Sequence, residues 1–141
     1  MEAIAVAAGV GKPTLYRWWP NRAALVHEAL VVEVRSTTVT DLRGFVDGVL
    51  AFFDRPLVRT AWLGAMAELA HDPTTLAIAR SAFLDPAAEQ LHAIVGDDAD
   101  LVVDLVIGAG VAGLLRPGRR PPRATRVDRL VEAISPRCAC G

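Results

Sequence analysis

Cysteine is nearly absent from this chain of 141 residues, with Cys138 and Cys140 confined to the last four positions. A zinc site needs about four ligands, and no second pair stands elsewhere, so neither a disulfide framework nor a structural metal is expected. The tail reads as reduced and frayed. Aromatic residues are scarce as well, at 6%. Charge of one sign is not in excess: 15 basic against 16 acidic residues leave a net charge of -1. That excludes a uniformly polycationic protein but not a local basic site. The longest apolar run, Leu101 to Leu115, covers 15 positions and contains Asp104, short of the ~18 to 20 residues that cross a bilayer. No cationic segment precedes an apolar core at the N-terminus, so no secretory signal is read. The expectation is a soluble, cytoplasmic protein with no membrane partner. There is no Gly-x-Ser-x-Gly, His-Glu-x-x-His or Walker loop. His27, His71 and His92 are isolated, and Ser36, Ser81 and Ser135 have no local signature. Catalysis is not supported, and no cofactor or metal is expected.

Hydrophobic residues make up 52% and charged residues 22%, the composition of a folded domain rather than a disordered tail. At this size folding buries roughly 70% of the extended surface. The punctuation is regular, and the pattern between the marks has helical period. Glu2 to Ala8 reads as a short helix closed by Gly9, and Lys12 to Trp18 as a second with Pro13 in its first turn. Asn21 caps a connecting helix from Arg22 to about Thr37, and Asp41 caps the next. Pro56 opens another. Asp72-Pro73 starts a helix to about Val95, with Pro86 as a kink or break. Asp98 or Asp100 starts an apolar helix to Leu115. Arg116 to Thr125 reads as a loop, and Arg126 to about Ile134 as the last helix. No alternating segment carries hairpin signals. The expected class is all-α, with two short helices at the head followed by a helical bundle.

Two short helices joined by a tight glycine turn form a helix-turn-helix. Ile4, Val10, Leu15 and Trp19 are expected to fill the core between them. The second helix then presents Lys12, Thr14, Tyr16, Arg17 and Trp18 outward, and the dipole and free N–H groups at its start suit phosphate oxygens. Residues 1–22 hold Lys12, Arg17 and Arg22 against Glu2, a net of +2, which leaves -3 for the remainder. A basic head on an acidic body orients toward a duplex.

Residues 4–22 read Ile-Ala-Val-Ala-Ala-Gly-Val-Gly-Lys-Pro-Thr-Leu-Tyr-Arg-Trp-Trp-Pro-Asn-Arg. This stretch closely resembles the DNA-binding segment of the TetR family of bacterial transcriptional regulators. The resemblance is specific over 2–30 and looser over 35–141, where helix order and length match. It implies a DNA-binding region at 1–34, including the connecting helix, and a ligand-binding and dimerisation domain at 35–141. Carried over position by position, Lys12, Pro13 and Thr14 match the start of the recognition helix. Tyr16 matches a phosphate-contacting tyrosine. Arg17 and Trp18 match positions facing the major groove, and Arg22 matches a basic residue on backbone phosphate. Leu15 and Trp19 match core positions. Arg17 is able to pair with a guanine edge, whereas Trp18 offers only apolar contact to thymine methyl groups. The family places a further helix ahead of the segment that begins here. The expectation is that Met1 is an internal methionine of a longer protein; the other explanation is a degenerate regulator with a poorly ordered head.

In the body, Phe53, Trp62, Met66 and Phe83 stand at helical spacing, which usually marks core. They are also the candidates for contact with a small apolar effector, which the resemblance implies. Gly108, Ala109, Ala112 and Gly113 let another helix approach closely. With Val127 and Leu130 they fall in the two helices that form the dimer interface of TetR regulators. Gly108-Ala109-Gly110-Val111-Ala112-Gly113 also fits a dinucleotide fingerprint, but it lacks the preceding strand and the following helix. Arg116, Arg119, Arg120 and Arg123 read as a solvated basic loop. The expected function is a sequence-specific DNA-binding regulator, usually a repressor. Its partners would be a double-stranded operator, a second copy of itself and a small-molecule effector. The alternative is a helical dimerisation or ligand-binding protein that has lost DNA binding.

Overall fold

The computed structural model describes residues 1–22, 24–26, 28, 29, 39–69, 73–116, 118 and 120–138. Within the helices it leaves aside the side chains of 57, 64–69, 75, 78, 79, 82 and 136–138. Among the described residues the regular structure is entirely helical: α1 (Glu2–Ala8), α2 (Lys12–Trp18), α3 (Leu42–Asp54), α4 (Pro56–Leu69), α5 (Pro73–Val95), a 3-10 turn (Gly96–Asp98), α6 (Ala99–Leu114) and α7 (Arg123–Cys138). The described residues between 22 and 29 are helical too. None of these helices is long and apolar enough to cross a membrane.

The boundaries follow local chemistry. Gly9 ends α1 at φ 66°, and a Cβ there would meet nothing within 4 Å. The glycine is therefore needed for its left-handed backbone rather than for space. Asp41 caps α3, its carboxylate accepting from the Gly44 N–H at 2.7 Å. Asn21 Oδ1 accepts from the Ala24 N–H at 2.8 Å in the same way.

Three expected boundaries differ. Pro86 does not break α5, which continues through it as one helix of 23 residues, the backbone bonds on either side carrying the helix past the missing donor. α7 begins at Arg123 rather than Arg126. The Pro122 carbonyl accepts the Arg126 N–H at 3.2 Å, and a proline ahead of the first turn sacrifices no needed donor. The same helix runs past Ile134 to Cys138. Asp72, Pro117, Arg119, His27, His71 and Cys140 lie outside the described residues.

α3 is the centre of the body. It packs against α6 on one side and α7 on the other, while α5 covers α6. Phe45, Val46, Leu50, Leu91, Val102, Val103, Val106, Val127 and Ile134 form this core. A second cluster of Phe53, Val58 and Leu114 lies at the far end of α3, and Val26 of the segment leading from the head packs on it.

An ionic seam covers α3 and α7. Arg123 reaches Asp47 at 2.9 Å, and Arg43 pairs with Asp128. Asp54 is shared by Arg120, at 2.9 Å, and Arg126. Arg120 and Arg123 are thus not parts of a solvated loop. One anchors the α6–α7 connection to α3, and the other opens α7.

Candidate nucleic-acid interface

α2 has seven residues, of which Leu15 alone is buried, at 5% exposure. Lys12, Pro13, Thr14, Tyr16, Arg17 and Trp18 are all exposed. Inward anchoring at a single position leaves the rest of the surface to solvent. Trp18 is 69% exposed, an unusual placement for the largest apolar side chain. The Arg17 guanidinium carbon lies 6.0 Å from its ring centroid, the outer reach of a cation–π contact. Lys12 Nζ stands 2.6 Å from Glu2 Oε1, and both side chains are exposed. Such a pair is weak in water and open to exchange for a stronger anion. Arg22 follows the Asn21 cap and is exposed.

The small core of the head is not the expected quartet. Ala5 and Leu15 are its buried residues, Ile4 and Trp19 are half-buried, and Val10 is exposed. Val10 follows the Gly9 turn, which carries its side chain out of the corner. Trp19 has a polar role that its core assignment missed: its Nε1 donates to Glu28 Oε2 at 2.6 Å. An indole N–H nine positions before a glutamate is no local motif, so the spacing gave no signal.

In the body, Phe53, Trp62 and Phe83 do come together. Edge-to-face contacts join Phe53 to Trp62 at 5.1 Å and Trp62 to Phe83 at 6.1 Å, and Phe52 extends the row at 5.4 Å from Phe53. Trp62 Nε1 is buried without a hydrogen-bond partner. The Met66 side chain lies outside the described residues. Phe53 is 4% exposed, and its ring presses on Gly110 so closely that a Cβ there would stand 2.3 Å from Cδ2.

The small residues of α6 divide between two uses. Gly113 faces its own chain: an added Cβ would stand 2.5 Å from an Arg120 guanidinium nitrogen. Gly108 has open space around it, and Ala112 is exposed. Leu101, Leu105 and Leu115 are exposed too. The order 101, 105, 108, 112, 115 repeats at four and three, which aligns them along one face. Val127 is 3% exposed, within the core of the body, whereas Leu130 and Ala109 are half-buried.

Two regions of the chain match known families. Residues 35–134 match the family described as "Tetracyclin repressor-like, C-terminal domain". Residues 1–29 match the family described as "Bacterial regulatory proteins, tetR family". No curated protein and no solved structure matches the chain.

Proposed function

The chain belongs to the tetR family of bacterial regulatory proteins and is a DNA-binding transcriptional regulator, and from that premise we propose that it is a homodimeric repressor released from its operator by a small apolar effector. The observation that carries this reading is α2: one buried leucine, and a free surface bearing Lys12, Tyr16, Arg17 and Trp18. Lys12, Tyr16 and Arg22, with Pro13 and Thr14 at the helix start, set register on phosphates. Arg17 and Trp18 address base edges. On approach to a duplex, Lys12 exchanges Glu2 for a phosphate oxygen.

Two heads reading successive major grooves require a spacing of about 34–36 Å or a multiple of it. The exposed face of α6, from Leu101 through Gly108 and Ala112 to Leu115, supplies the self-association surface, with Ala109 and Leu130 at its edge. The effector enters beside Trp62, between α4 and α5. The row of Phe53, Trp62 and Phe83 offers aromatic surface, and the unpartnered indole N–H favours a ligand with a hydrogen-bond acceptor. Met66 on α4 is the remaining proposed contact. Val26 packs on the same cluster as Phe53, so a ligand that shifts this cluster also shifts the segment leading to the head.

The test is selection of duplexes from a random-sequence library by the intact chain, followed by anisotropy titration of the enriched sequence. An inverted repeat with steep salt dependence supports the reading. Uniform, weak binding to every sequence contradicts it.

A further inference from the structure

The seven residues of α2 make two turns, too few to be stable or oriented on their own. Its direction must come from tertiary anchors. Leu15 is one, near the middle. The other lies past the last residue that faces DNA. Trp19 leaves the helix in extended conformation, φ -128° and ψ 107°, its N–H still bonded to the Leu15 carbonyl at 2.8 Å. From there its indole N–H donates to the Glu28 carboxylate at 2.6 Å. That is short for a nitrogen donor and is charge-assisted. It ties together positions nine apart in the chain, across a turn already capped by Asn21.

Glu28 lies two residues beyond Val26. Val26 packs against the cluster that Phe53, Val58 and Leu114 form in the body. The segment entering the body is therefore attached to the body by one residue and to the end of the recognition helix by another. Phenylalanine would fill much of Trp19's place but could not make the bond, because the N–H belongs to the indole alone.

We propose that the Trp19–Glu28 hydrogen bond is a positioning contact that sets the angle of α2 against the body, and so governs how well Arg17 and Trp18 discriminate sequence. This rests on the reading of α2 as the recognition helix. Phosphate contacts tolerate small rotations of a helix, since the charges are spread along the backbone. Base-edge contacts do not. Loss of the bond should therefore reduce discrimination more than general affinity.

The experiment measures binding of the intact chain to its library-enriched duplex and to a scrambled duplex of equal composition. The ratio of the two affinities is the readout, which simple partial unfolding of the head would not change. Trp19→Phe and Glu28→Leu should each lower the ratio about five- to tenfold, the net range of one hydrogen bond in an exposed setting. Glu28→Gln, which keeps an acceptor, should stay within about twofold of the parent chain. The double variant should fall no further than either single one. An unchanged ratio in Trp19→Phe and Glu28→Leu, with the parent chain still discriminating, overturns this inference alone. So does a Glu28→Gln ratio as low as that of Glu28→Leu. A parent chain that prefers no duplex overturns the recognition-helix reading, and this inference with it.

Discussion

Arg17 and Arg22 are both exposed cations of the head, five positions apart, and under the proposed function they do different work. Arg22, behind the Asn21 cap, is the one proposed to hold phosphate. Arg22→Ala should weaken binding to every duplex alike and flatten the salt slope by about one unit in a log–log titration. Arg17 sits on the reading surface. Arg17→Ala should relax sequence preference at a cost of roughly 1–3 kcal/mol to the enriched duplex, with little loss on a scrambled one. Equal losses on both duplexes would remove Arg17 from the base-reading set. Trp18 is the more revealing neighbour. Its indole is 69% exposed, and under the proposed function that surface meets thymine methyl groups in the complex.

The helices themselves were largely legible, because their signals are local. Asp41, Asn21, Gly9 and Pro56 mark ends where the chain does start or stop a helix, and each acts within four residues. The contacts that lock helix to helix were not legible. Asp54 meets Arg120 and Arg126 from 66 and 72 positions away. Nothing near Arg120 distinguishes it from a solvated loop residue. In the sequence Gly110 stands out only through the nucleotide fingerprint, yet it is the position where α6 accepts the Phe53 ring. Gly110→Ala should lower stability by about 1–3 kcal/mol, seen as a reduced Tm, since the ring has to move. Pairing it with Phe53→Leu should cost less than the two single changes added together. Asp54→Asn removes the carboxylate that two guanidinium groups share. Those side chains are 17% and 23% exposed, and both Nε atoms are buried without acceptors. A destabilisation of about 1–3 kcal/mol is expected, allowing for partial exposure to water. A Tm unchanged in Asp54→Asn would show that the seam contributes nothing.

The chain as a whole divides its charge as its function requires, with a basic head and an acidic remainder. Its apolar exposure is ordered too. The stripe on α6 leaves Leu101, Leu105 and Leu115 in water on one face, with open space at Gly108 between them. Leu105→Glu should convert a dimer to a monomer in sedimentation velocity without lowering helicity. A monomeric parent chain would count against the proposed seam. Val127 of α7, whose sequence position placed it at that seam, is buried in the core with Phe45, Val46 and Leu50 of α3, because an amphipathic helix must first bury its apolar stripe at home. The most direct trial of the account is the distance between the two half-sites of the duplex that the intact chain enriches from random sequence. The account predicts an inverted repeat whose centres lie about 34–36 Å apart along the duplex, or a multiple of that. Enrichment of no sequence, or of a single site without symmetry, would contradict it.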